Sequence, residues 1–160
     1  MKVKIIQFGT GNFLRGFFAD FVQTLREKEL FDGDIVIVQP TKGGKSKLIN
    51  EADGNYNLYL RGVDKGEQVC TRREITCVSR CVDPYNNYDE YLALAKNPDL
   101  RFIVSNTTEA GIEFNKKCNF EDRPALSFPG KLTQLLYQRY LRHLPGFVIL
   151  PCELISDNGK

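Results

Sequence analysis

Two rhythms of apolar and polar positions run along this chain. Lys2 to Phe8 (KVKIIQF) is a short apolar run closed by a glycine, which predicts a buried strand. From Phe13 the period changes: Phe13, Phe17, Phe18, Phe21, Val22 and Leu25 recur at three- and four-residue steps up to Lys28, predicting one amphipathic helix. Gly9 to Asn12 forms the turn between them. Asp34 to Gln39 (DIVIVQ) is a second apolar run, stopped by Pro40, so the chain opens with a strand–helix–strand unit.

Further on, Leu58–Arg61 and Val69–Arg73 flank the turn-forming Asp64-Lys65-Gly66 and read as a hairpin. Ile75–Val82 adds another β-rich piece, so an antiparallel insertion is expected on an otherwise parallel sheet. Asp89–Lys96 predicts a short helix ended by Asn97-Pro98, Arg101–Ser105 a buried strand, Pro129–Arg142 a helix and Phe147–Leu150 a last strand. His143 falls where a helix ends, a position that favours positive charge. Alternation of strand and helix predicts an α/β fold: a Rossmann-like, mostly parallel sheet with helices on both faces.

Composition narrows the function. With 160 residues, 42% of them hydrophobic, the chain is one ordinary domain with a real core. The 22 Lys+Arg against 20 Asp+Glu leave +2, too balanced for nucleic acid or an anionic membrane as main partner. No apolar run reaches the roughly 20 residues of a membrane span, and no secretory cleavage region precedes the first strand, so a cytoplasmic address is expected. The five cysteines include no C-x-x-C pair and are expected to be buried free thiols, with no metal site.

Gly9-Thr10-Gly11 sits where a pyrophosphate binds in such folds: glycine lets the backbone approach, and a helix start offers N–H groups. The third position of G-x-G-x-x-G is Leu14, so the glycine match is partial. Gln7, where S-adenosylmethionine enzymes carry an acid, argues against a methyltransferase. The second strand ends at Gln39 with no ribose-binding carboxylate and with Lys42, Lys45 and Lys47 following, which on the residues alone leaves NADP open beside NAD.

Four motifs, FGTGNFLRGF (8–17), VSNTTEAGI (104–112), FPGKLTQLLYQRY (128–140) and PCELISDNG (151–159), together resemble the polyol-specific long-chain dehydrogenases, the mannitol dehydrogenase family, in particular its branch acting on keto sugar acids. The resemblance implies NAD as cofactor and a hydride transfer to a sugar acid. It also implies a largely helical second domain, with the general acid/base lysine beyond residue 160 and no zinc. Residues 1–160 would then be the NAD-binding part of a longer enzyme, inactive alone, with its missing C-terminal domain as partner and an apolar patch exposed near Pro151–Ile155 that favours self-association.

By the same resemblance Gly9, Thr10, Gly11, Asn12, Phe13 and Arg15 belong to the cofactor loop, with Gln39 at the ribose end and Asn106 and Thr107 toward the nicotinamide. Glu109, Glu153 and Asn158 fall on the substrate side. Where some relatives have an asparagine two residues after the cysteine, this chain has Leu154, which passes the donor role from that spot to Asn158 or to a residue outside the chain. Lys131, at a helix start, is expected to be solvated. Mannitol or fructuronate as substrate, or a non-catalytic nucleotide-sensing domain, are the alternatives.

Overall fold

The structure, a computed structural model, describes residues 2–158, with the side chain of Glu109 outside the described part. Five parallel strands form the sheet: β1 (Lys2–Phe8), β2 (Gly33–Val38), β5 (Val78–Val82), β6 (Phe102–Ser105) and β7 (Val148–Pro151), in the order β5-β2-β1-β6-β7. Helices α1 (Asn12–Gly16) and α2 (Phe18–Glu27) link β1 to β2, and α3 (Ser46–Glu51) follows β2. Then α4 (Tyr88–Ala93) and a 3-10 turn precede β6, while α5 (Glu109–Ile112) and α6 (Phe128–Tyr140) lie between β6 and β7.

Period-two alternation sorts the core. Ile5, Ile35, Ile37 and Val78 point to one face and pack with Leu14, Ala19 and Val22 of the first helices and Ile49 of α3. Ile6, Val36, Val38 and Ile103 point to the other, against Tyr91 of α4 and Leu135 of α6. Each such aliphatic side chain contributes about 2 kcal/mol on burial.

The hairpin is β3 (Tyr56–Asp64) with β4 (Glu67–Ile75), a separate two-stranded antiparallel sheet. One expected assignment is corrected here: the last part of Ile75–Val82 is no piece of the insertion. It forms β5, which pairs in parallel with β2. The chain changes sheets at Thr76-Cys77, where the Thr76 N–H and the Cys77 thiol donate to Gln23 Oε1 and the Ala19 carbonyl of α2.

A second correction concerns the long helix, which breaks at Phe17. The Tyr56 hydroxyl donates to the Arg15 carbonyl at 2.6 Å, the acceptor that residue 19 uses in an uninterrupted helix. Phe13, Phe17 and Phe21, expected on the buried stripe, are exposed instead; Leu14, Phe18, Ala19 and Val22 face the sheet. Among the cysteines, Cys77 and Cys81 are buried, Cys118 and Cys152 partly so, and Cys70 is exposed on β4. No helix among the described residues is long and apolar enough to cross a membrane.

The β5 edge is closed by a side chain. Asn50 of α3 donates from Nδ2 to the Cys81 carbonyl at 2.8 Å and accepts the Cys81 N–H at 2.7 Å, imitating a sixth strand. Asn50→Ala strands both backbone groups and is expected to cost about 2 kcal/mol, read as a lowered urea midpoint at constant slope.

Candidate functional site

The strand order reverses between β1 and β6, because the chain runs outward from β1 to β2 and β5, then returns to the other side of β1. At the carboxyl ends of these strands such a reversal opens a crevice. Gly9, Thr10 and Gly11 leave β1 there; Asn106 and Thr107 leave β6; Cys152, Glu153 and Asn158 follow β7; Gln39 ends β2. The fold thus brings nearly every expected site residue to one edge of four neighbouring strands.

Backbone geometry at the first loop demands glycine once. Gly9 has φ +125°, a conformation closed to side chains, while its N–H donates to the Val38 carbonyl and its own carbonyl accepts from buried Gln7 Nε2. Gly11 is different: its φ is −68° and a Cβ there would meet no atom within 4 Å. Its glycine leaves open room rather than satisfying strain.

Around the second loop the side chains are tied to one another. Asn106 Nδ2 donates to the Cys152 carbonyl at 2.6 Å, and the Thr107 N–H donates to Glu153 Oε1 at 3.2 Å. Asn158 Nδ2 donates to the carbonyls of Pro151 and Glu153. Glu153, 7% exposed, is therefore the knot that fastens the loop after β6 to the loop after β7. Burial, with Glu153 adding repulsion, pushes the neighbouring Cys152 thiol up from its ordinary pKa. Glu109 begins the short helix α5, and its side chain lies outside the described part.

Gln39 is placed at the β2 end as expected, yet its side chain is buried and spent on protein. Nε2 donates to Asp83 Oδ2, and Oε1 accepts the Ser46 N–H, fixing the glycine-rich loop between them. Arg15 donates to Asn12 Oδ1, lies over the Tyr56 ring at 5.4 Å, and keeps a buried Nε–H without a protein partner. With Lys45, Leu48 and Tyr56 it lines a cavity of about 320 Å3 at the base of the hairpin, beside the crevice rather than in it.

Three residues at this edge were not singled out as a group by sequence. Asp83, after β5, reaches Gln39 and Asn86, and the Tyr85 hydroxyl donates to the Pro40 carbonyl. Lys131 is fully buried, against the expectation of a solvated residue: its Nζ donates to the Leu126 carbonyl and lies 4.9 Å from the Tyr85 ring. The turn residues of Asp83-Pro84-Tyr85 right after an apolar run were the available signal for the first two; for Lys131 the signal was a cation at a helix start, where the dipole disfavours it.

Residues 3–160 match the family model described as the mannitol dehydrogenase Rossmann domain. The chain belongs to the mannitol dehydrogenase family. Within it, altronate oxidoreductase of Phocaeicola vulgatus is 46% identical over 160 residues, and that of Bacillus subtilis 47% over 161. Each alignment takes in 98% of this chain but 33% and 34% of the relative, so this mannitol dehydrogenase domain spans about a third of the length of its curated relatives. A solved structure of Pseudomonas fluorescens mannitol 2-dehydrogenase, in ternary complex with NAD and D-mannitol, superimposes with a TM-score of 0.86 at 19% identity, over 99% of this chain and 35% of that one. A substrate-free D-sorbitol dehydrogenase gives 0.79 at 22%, over 99% and 36%. At those identities the likeness is one of fold.

Proposed function

We propose that residues 1–160 are the coenzyme domain of an NAD-dependent sugar-acid oxidoreductase, and that the full-length protein interconverts tagaturonate and altronate. The observation that carries this reading is the meeting of the Gly9–Gly11 turn with the Asn106–Thr107 loop at the point of strand reversal, in a chain 46% identical to an altronate oxidoreductase. Mannitol or fructuronate as substrate is the second reading, favoured by the chain's membership of the mannitol dehydrogenase family. The free, disulfide-less cysteines fit a cytoplasmic enzyme.

The residues present fit a dinucleotide. Open space at Gly11 is the cradle a Cβ would fill, while Arg15, one turn on, lines the cavity beside the crevice. When bound, the nicotinamide supplies the hydride chemistry. The chain's own part is to hold and orient: the Gly9–Gly11 backbone receives the pyrophosphate bridge, with the glycine turn in place of the dipole of a long helix, since α1 is one turn and a kink. Asn106, braced by the Cys152 carbonyl, and Thr107, braced by Glu153, form the floor at the nicotinamide end. Stabilisation of the alkoxide and proton transfer fall to donors that include the region following this domain.

The test uses the full-length protein. Fluorescence titration is expected to show NADH binding tighter than NADPH, and turnover is expected with tagaturonate in preference to fructuronate or fructose; tighter NADPH binding, or a preference for fructose, overturns the corresponding part. Gly11→Ala is expected to weaken NADH roughly tenfold or more with unfolding unchanged, because the methyl group meets coenzyme and no protein. Gly9→Ala loses stability as well, by about 1–3 kcal/mol, through its φ. Wild-type NADH affinity in Gly11→Ala removes the bridge from this turn.

A further inference from the structure

The two faces of the sheet are covered unequally. On the side of α4 and α6 helices span from β2 to β7's neighbour, whereas on the side of α1 and α2 the buried cluster takes in Val104 and part of Phe102 from β6 and no residue of β7. There Ile5, Phe102 and Leu150 form the floor, and Phe18, Phe21 and Leu25 the wall, of an apolar groove of about 290 Å3. The rings of Phe13 and Phe17, stacked at 5.1 Å, and of Phe17 and Phe21, tilted at 4.5 Å, continue this wall along the first two helices. All four residues of β7 are exposed, although a parallel strand is ordinarily covered on both faces. At the other edge Asn50 and α3 close the sheet, so the bareness is confined to the β7 side.

We propose that this groove seats an amphipathic helix of the same polypeptide, drawn from the C-terminal region that makes up two thirds of the curated relatives' length. Bounded on one side by α2 and on the other by the sheet edge, the floor runs across three adjacent strands, two spacings of about 4.8 Å each, which matches the roughly 8–10 Å at which a packed helix sits from its neighbour. No charged residue lines the groove, so the inserted face carries Leu, Ile, Val or Phe at three- and four-residue steps, with its polar side outward. Tethering favours this occupant over a second copy, because a segment of the same chain arrives at an effective concentration in the millimolar range. The inference rests on the relatives' length and not on the reaction; failure of the NADH titration would leave it standing.

Site-specific photo-crosslinking in the full-length protein tests it. Phe21→p-benzoylphenylalanine keeps an aromatic ring in the wall, Leu25→p-benzoylphenylalanine provides a second probe should the first disturb folding, and Tyr140→p-benzoylphenylalanine on the opposite layer is the control. NADH binding and circular dichroism confirm folding. Irradiation is expected to join residues 21 and 25 to peptides beyond residue 160 of the same chain, roughly tenfold above the control. In mixed isotope-labelled and unlabelled protein, links between chains would place a second copy in the groove and overturn the proposal. Links confined to residues 1–160, or no links, would show the groove empty and overturn it equally.

Discussion

Arg139→Leu is expected to destabilise the domain by about 3–5 kcal/mol and to lower its melting temperature by about 10 °C, the largest loss from any single side chain described here. Arg139 lies in the last turn of α6, 2% exposed, and pairs with no carboxylate among the described residues. Four of its N–H groups are answered by backbone carbonyls: Nε donates to Pro145 at 2.8 Å, Nη1 to Asn97 and Ala95, and Nη2 to Leu100 at 3.0 Å. The Phe147 ring stacks on the guanidinium at 4.5 Å. Burial nudges the group down from its ordinary pKa, which leaves so strong a base charged at neutral pH.

One planar fork therefore fastens three segments: the turn after α4, the lead into β6 and the lead into β7. Truncation leaves those carbonyls buried and unpaired and opens a cavity under Phe147. Arg139→Lys is expected to recover less than half of the loss, because an ammonium cannot point donors along three divergent lines. Urea unfolding measures both. A leucine variant within 1 kcal/mol of wild type would mean that water replaces the guanidinium, and the fork would then be ornamental. Since β6 and β7 carry the Asn106 and Glu153 loops, NADH affinity should fall with stability.

How much of this was legible beforehand follows from what each element depends on. The apolar runs at Lys2–Phe8, Asp34–Gln39 and Arg101–Ser105 are read directly, since a strand covered on both faces needs nothing but apolar residues, and Phe147–Leu150 reads the same way although β7 lies exposed at the sheet edge. The glycine turn was legible for a similar reason, its demand being local. Helix α3 was not: Ser46–Glu51 has two apolar residues, of which Leu48 is exposed, and it is held by Gln39 and by Asn50's contacts with a strand 31 residues away. The phenylalanine stripe misled because periodicity reports an apolar face without saying what covers it. Arg139 falls inside the predicted helix Pro129–Arg142, and only the fold reveals that the carbonyls around it come from three other segments.

Lys131 yields the second large effect, and its sign is set by burial. Removal from water pushes the ammonium down from the ordinary 10.5 to about 8, with the Cys118 thiolate acting in the opposite, raising sense. At pH 7 the buried group is charged in both folded and unfolded chains, so the full cost of about 3 kcal/mol is present. Between pH 8 and 10.5 the unfolded chain binds more protons than the folded one, so this group makes stability rise with pH across that window. Cys77 and Cys81, pushed by burial up to about 11 and about 12, work against it above pH 9, where the unfolded chain is the first to lose its thiol protons. The difference between wild type and Lys131→Met removes those shared terms. Methionine keeps the volume but gives up the hydrogen bond to Leu126, so it is expected to stabilise by about 2 kcal/mol at pH 7 and to destabilise by about 1 kcal/mol at pH 11. Urea midpoints taken across pH 7 to 11 measure the crossing. Parallel curves, with methionine the less stable throughout, would show that the ammonium is solvated in the folded protein, and the lysine would return to the surface role its place in the sequence implied.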